Sequence, residues 1–199
     1  MTQIAVIDYG MGNLHSVSKA LEAVSQKENI VITSDQEVIK TSDKLVFPGV
    51  GAIKDCMEAF SNDLKETVLE EVKKKPTLAI CVGMQMLLES SEENGGVEGL
   101  GLLNGKVCKI QPNKDIKVPH MGWNQVNYLK EHFLLENIAD SLVIFILFIV
   151  IAAFHLKMLL PRQFMVKSLC HLLPRIIFLL FSFTLKRAKV QDYSYIKTS

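Results

Sequence analysis

Cys81 is the residue best placed to do chemistry in this chain. It stands in Leu78-Ala79-Ile80-Cys81-Val82-Gly83-Met84-Gln85, where a short apolar run meets a thiol and Gly83 then opens an apolar stretch, Met84–Leu88. A nucleophile at a strand-to-helix turn is held out at the edge of a sheet. A thiol there sits at a helix N-terminus, where the macrodipole favours thiolate over thiol. The N–H groups of the turn can stabilise the oxyanion of an acyl transfer. The other reading of the same pattern is a buried structural cysteine, which is the commoner fate of a lone Cys. The remaining cysteines, Cys56, Cys108 and Cys170, are widely spaced, with no CxxC and no metal-ligand pattern. A reduced, cytosolic chain is expected, with no metal and no cofactor.

The elements around Cys81 can be read from apolar runs and glycine turns. Ile4–Ile7 is a buried-type strand that ends in Asp8-Tyr9-Gly10-Met11-Gly12-Asn13, and Val17, Leu21 and Val24 follow at helical spacing from Leu14. Strands are expected at Ile30–Ile32, at Leu45–Phe47 before Pro48-Gly49-Val50-Gly51, and at Thr77–Ile80, with one amphipathic stretch from Cys56 to Lys74. This alternation predicts an α/β fold, an open and mostly parallel sheet flanked by helices. Ligands of such sheets gather at the carboxyl ends of the strands, where three of these glycine turns lie. Gly10-Met11-Gly12 is half of a dinucleotide fingerprint; without a third glycine and a well-spaced acidic residue it reads as a tight turn.

Composition divides the chain sharply. Residues 1–140 carry 14 Lys+Arg against 20 Asp+Glu, a net of −6, whereas residues 141–199 carry 8 against 1, a net of +7. All 11 glycines lie at or before Gly122, and the last 59 residues contain no Gly, Glu or Asn. Tight turns in an ordinary α/β segment call for Gly and Asn, so the tail is aberrant. The expected division is a domain over 1–140 and an apolar, basic tail over 141–199. The near-neutral whole, +1, shows no nucleic-acid footprint. The start, MTQIAVIDYG, has no basic n-region and does not read as a signal peptide.

Five segments together resemble one family: IDYGMGNLHSV (7–17), FPGVGAI (47–53), ICVGMQMLLESSEE (80–93), GLGLLNGKV (99–107) and VPHMGWNQV (118–126). Their order and combination resemble the glutaminase subunit of imidazole glycerol phosphate synthase, a class I (triad) glutamine amidotransferase of flavodoxin-like fold. The resemblance covers about the first 140 residues. One departure is Ala79, where the family usually has Gly two residues before the nucleophile. The resemblance implies that Cys81 attacks the side-chain amide of glutamine to form a glutamyl thioester and release ammonia. It implies an oxyanion hole from the Val82 N–H and the Val50–Gly51 backbone, and a substrate-holding role for Gln85. The implied partner is a barrel-shaped cyclase/synthase subunit that receives the ammonia and builds the imidazole ring of histidine biosynthesis. His120, Met121, Gly122, Trp123 and Asn124 would lie toward that partner, with simple packing as the other reading for His120 and Trp123.

A thiol nucleophile of this family works with a His base and a Glu that orients it, normally in a His-Pro-Glu element of the type FHPEKS. The sequence has none. Its histidines are His15, His120, His132, His155 and His171, and no Glu follows Glu136. His15 and His120 belong to the matched motifs; His155 and His171 sit in apolar surroundings.

Three readings of the tail compete. As a membrane anchor, Leu142–Phe154 offers 13 apolar residues, short of the roughly 18–20 of a spanning helix; a catalytically dead, membrane-tethered binding module is the alternative function on this reading. As a soluble core segment, the tail lacks the turn residues. The third reading is a displaced reading frame. Phe183–Lys189 written TTC ACC CTG AAA AGA GCA AAG, with a T before it, reads Phe-His-Pro-Glu-Lys-Ser-Lys one base earlier. The same shift permits His-Ser-Phe-Tyr-Cys from Phe145–Val150, Lys-Asp-Asn-Phe from Pro174–Phe178 and Lys-Asn-Phe from Ile196–Ser199. Four matches in one frame and in family order place the expected shift in or just before 140–144. Such a tail is expected to be unable to supply the family's strands, leaving extra helix or poorly packed segments, with residues 1–126 forming the sheet and its helices. The DNA across codons 136–146, and the third bases of codons 183–189, test this directly.

Overall fold

The computed structural model describes residues 1–25 and 27–109, Pro112, and the backbone of four later strands at 120–126, 142–148, 150–153 and 176–179. Four strands alternate with helices in the first 80 residues: β1 (Gln3–Ile7), α1 (Leu14–Val24), β2 (Asn29–Thr33), α2 (Gln36–Thr41), β3 (Lys44–Phe47), α3 (Ile53–Ala59), α4 (Asn62–Lys74) and β4 (Thr77–Ile80). They form a parallel sheet in the order β2-β1-β3-β4, with β1 paired to β2 on one side and to β3 on the other. The chain therefore reverses direction across the sheet between β1 and β3. This is the switch point at which open α/β sheets leave a crevice beyond the strand ends.

Strand alternation sorts the side chains into two layers. Ala5, Ile7, Leu45, Phe47 and Ala79 face one side, where Ile39, Ile53, Leu64, Val68 and Val72 of α2, α3 and α4 cover them. Ile4, Val6 and Val46 face the other, against Leu14, Val17 and Leu21 of α1. Both faces are covered, which is why these strands read as continuous apolar runs. Asn13 starts α1 by accepting a hydrogen bond from the Ser16 N–H, and Asp35 starts α2 by accepting from Glu37 and Val38.

Three expectations need correction. The stretch Cys56–Lys74 is two helices: the chain turns at Phe60 and Ser61 because Phe60 is drawn into the core, its ring 5.4 Å from Tyr9 and 5.6 Å from Phe47. The helix after Cys81 is α5 (Val82–Met86), two residues earlier than Met84–Leu88, and Leu88 already begins β5 (Leu88–Ser91). The described residues between 88 and 126 do not extend the main sheet. β5 pairs with β6 (Val97–Glu98) and β7 (Leu103–Lys109) in a second sheet that also contains β10 (Val150–Ala153), and β8 (His120–Val126) pairs antiparallel with β9 (Leu142–Phe148).

The tail also departs from expectation. All its described residues are strand: β9, β10, and β11 (Ile176–Leu179), which lies parallel beside β4 with Ile176 opposite Thr77 and Leu179 opposite Ile80. Runs of Ile, Val, Leu and Phe suit a pleated, half-buried surface whatever else the sequence lacks, and β4 offers an edge to pair with. The run SLVIFILFIVIAAF is thus strand at 142–148 and 150–153, and no helix among the described residues is long and apolar enough to cross a membrane. His132, His155, His171, Cys170 and residues 183–189 lie outside the described residues.

Candidate active site

β4 delivers Cys81 to the carboxyl edge of the sheet, and the register fixes what lies beside it. Phe47 pairs with Ala79, so Pro48–Gly51, which leaves β3, runs alongside Cys81. Cys81 has φ 53° and ψ −119°, a left-handed conformation that side chains with a Cβ rarely adopt. Such strain is of order 1–3 kcal/mol and persists only where the surroundings over-determine it. Here α5 starts immediately, with the Met84 and Gln85 N–H groups donating to Cys81 O, and Val82 and Met84 are buried. Cys81 itself is half-buried. The five residues of α5 make the helix dipole at Cys81 a short-range contribution.

The strain predicts its own relief. Cys81→Gly is expected to raise stability by about 1 kcal/mol, whereas Cys81→Ala, which keeps a Cβ at positive φ, is not; urea denaturation of the two variants checks this.

The loop and the elbow touch backbone to backbone. A Cβ at Gly49 would lie 2.3 Å from Gly83 N and 2.9 Å from Val82 C, and one at Gly83 would lie 2.2 Å from Phe47 O. No side chain fits between them. Gly12, in the turn after β1, approaches the same loop near Pro48, and Met11 approaches Gly51. The three glycine turns read from the sequence are therefore one cluster. Val50 and Gly51 are exposed, Val82 is buried and Gln85 is half-buried. The side-chain amide oxygen Oε1 of Gln85 is buried with no hydrogen-bond partner among the described residues. An orphan acceptor of this kind is destabilising by about 1–3 kcal/mol and marks a place for a donor. Of residues 120–124 the structure describes only the strand backbone, so their side chains lie outside it.

Two residues of the site escaped the sequence reading. Tyr9, only 4% exposed, donates its hydroxyl to Pro48 O at 2.7 Å, and Cys56, fully buried, donates its thiol to Val50 O at 3.3 Å. Burial is the main cause that pushes both groups above their ordinary pKa values; the potential charge of Cys56 raises Tyr9 further, whereas the hydrogen bond with Tyr9 pulls Cys56 part of the way back. Both therefore keep their protons at neutral pH and remain donors. The signals were faint: a Tyr directly after a buried strand, and a Cys one turn into α3 in step with Ile53.

A strained thiol after a parallel strand, against a glycine loop from the neighbouring strand, is an arrangement whose chemistry suits acyl transfer. The family model for class-I glutamine amidotransferases matches residues 5–145, and the chain belongs to that family. Among its relatives it is similar to the imidazole glycerol phosphate synthase subunit HisH of Acinetobacter baylyi, 56% identical over 127 residues, which is 63% of this chain and 61% of that protein. The subunit of the same name from Pseudomonas syringae pv. syringae is 50% identical over 147 residues, 71% of this chain and 69% of that protein. The chain thus matches between three-fifths and seven-tenths of the length of these relatives. A solved glutamine amidotransferase is similar over 72% of this chain and 70% of that chain, at 15% identity and a TM-score of 0.49.

Proposed function

We propose that this chain is the glutamine-hydrolysing subunit of an imidazole glycerol phosphate synthase, and that its own glutaminase step is impaired. Cys81 is the nucleophile. Its sulfur bonds to the side-chain amide carbon of glutamine, the C–N bond breaks, and the thiol proton leaves with the nitrogen as ammonia. Water then cleaves the thioester to glutamate and restores the thiol. The Val82 N–H and the Val50–Gly51 backbone hold the oxyanion, and Oε1 of Gln85 takes a donor from the substrate. The strained Cys81 against Pro48–Gly51 is the observation that carries this reading, and the identity to the subunits of that name supports it.

The partner is a cyclase subunit that consumes the ammonia in making imidazole glycerol phosphate and an aminoimidazole carboxamide ribotide. The face carrying His120–Asn124 is the side toward it, and a cytoplasmic location goes with this role. Residues 1–140 carry the amidotransferase domain. Residues 141–199 stand where a frame displacement has removed the base, since no Glu follows Glu136.

Glutamate release by the chain and by Cys81→Ser, each mixed with a relative's cyclase subunit, tests the proposal. Equal, near-background rates are expected, together with co-purification of the chain with the cyclase. Turnover that depends on Cys81 would reveal another base, and failure to co-purify would remove the partner.

A further inference from the structure

Attack on an acyl carbon needs a presented sulfur, a donor for the oxyanion and a route for protons. The elbow supplies the first two. Cys81 is held at φ 53° and ψ −119°, and the Met84 and Gln85 N–H groups fix it there by donating to Cys81 O at 3.1 and 3.3 Å. Val82, the next residue, is the first of α5, and the leading N–H groups of a helix have no partner within it. The N–H directly after a nucleophile at such a turn is a place where an oxyanion is met. Proton transfer is another matter. Tyr9 and Cys56 both feel charge on Cys81, yet both are raised above their ordinary pKa values, chiefly by burial. A group that keeps its proton at neutral pH cannot take another. His15, the one histidine among the described side chains, is exposed on α1, where its charge is felt by Glu22. No Glu follows Glu136 to orient the other histidines.

A site of this kind selects among acyl donors by their leaving groups. The nitrogen of an amide leaves only if it is protonated as the C–N bond breaks, which is the work of a general acid. A thiolate leaves with its electron pair and takes its proton later, from water. Water in turn needs a base to attack the new thioester on Cys81, so the acyl group stays on the sulfur.

We propose that Cys81 in this chain is a single-turnover acceptor of glutamyl groups from donors whose leaving group departs unprotonated, γ-thioesters of glutamate above all. In the step itself the Cys81 thiol gives its proton to water, and the thiolate pair forms a C–S bond to the γ-carbonyl carbon. The carbonyl pair moves to oxygen and returns as the old C–S bond breaks, its pair leaving on the departing thiolate. This rests on the assignment of Cys81 as the nucleophile of a glutamine site.

The test uses the full chain, with the modified cysteine located by peptide mass mapping. The chloromethyl ketone analogue of glutamine, which loses chloride to an attacking thiolate, first reports the nucleophile. If it shows no preference for Cys81 over Cys108, the nucleophile assignment fails. Glutamine and the γ-methyl thioester of glutamate are then compared at one pH, with cyclisation of the thioester measured without protein and subtracted. The thioester is expected to place a glutamyl group on Cys81 at least about 10²-fold faster than glutamine does. A single equivalent of methanethiol is expected per chain, and none from Cys81→Ser. The adduct is expected to survive gel filtration and to be discharged by hydroxylamine. Equal rates from the two donors, or methanethiol release that continues at the rate of the first equivalent, overturn the proposal, since either requires a working acid–base group. So does the lack of a thioester-derived adduct in a chain that the chloroketone labels at Cys81.

Discussion

Replacing residues 141–199 with the neighbouring-frame reading, which restores Phe-His-Pro-Glu-Lys-Ser, is expected to raise glutamine hydrolysis by at least about 10⁴-fold over the chain as it stands. The size follows from the chemistry of the missing groups. A thiol attacking an amide must lose its proton, and the departing nitrogen must gain one; a single His does both, and a carboxylate holds that His in the productive tautomer. With neither, the oxyanion donors and substrate binding act alone. The gain is expected to vanish when Cys81→Ser is added to the restored chain, which separates a recovered triad from better folding. Glutamate release with a relative's cyclase subunit present measures both. If the restored chain is no faster, the tail is not a displaced form of the family's C-terminal segment. The described tail residues do not argue against displacement, because strand at 142–148, 150–153 and 176–179 follows from apolar, β-branched composition rather than from any particular sequence.

The second large effect belongs to the glycines that let loop and elbow meet. Gly83→Ala is expected to destabilise the chain by about 3 kcal/mol, because the new Cβ would stand 2.2 Å from Phe47 O and 2.9 Å from Pro48 O. Both are backbone atoms between β3 and the loop, so no rotamer change relieves the clash; the loop must lift from α5. Gly49→Ala presses on the same contact from the other side, 2.3 Å from Gly83 N, and is expected to have a similar effect. The double variant is expected to be little worse than either single one, since a loop already lifted meets no second clash. Gly95→Ala is the control: its φ is +85° but nothing lies within 4 Å of the added Cβ, so about 1 kcal/mol of backbone strain is expected. Urea denaturation of the four variants checks the order. A Gly83→Ala no worse than Gly95→Ala would show that the backbones are not in contact.

Much of this was legible in the residues themselves. The strands at 3–7, 29–33, 44–47 and 77–80 agree with the apolar runs to within a residue or two, and α1 begins at Leu14 after Asn13 as read. These features depend on near neighbours in the chain, namely apolar periodicity, a cap or a glycine at a turn. The nucleophile turn was legible for the same reason, although the bounds of α5 were not. Where Leu87 and Leu88 are buried against the second sheet, Leu103 donates to Leu87 O and Gly101 to Leu88 O, and those long-range bonds favour strand over a further helical turn. Phe60 broke the expected single helix because a core cluster of Tyr9 and Phe47, distant in sequence, had room for its ring.

The amino-acid sequence by itself determined the alternation of strand and helix, the thiol at a sharp turn after β4, and the absence of any Glu beyond Glu136 to complete a triad. Only the tertiary structure decided the order β2-β1-β3-β4, the meeting of Gly49 with Gly83, and the bonds from Tyr9 and Cys56 to the loop. Tyr9 and Pro48 are 39 positions apart. No local pattern encodes such a pair, because it forms only when parallel strands, joined by crossovers, lie side by side and bring their carboxyl ends to one edge.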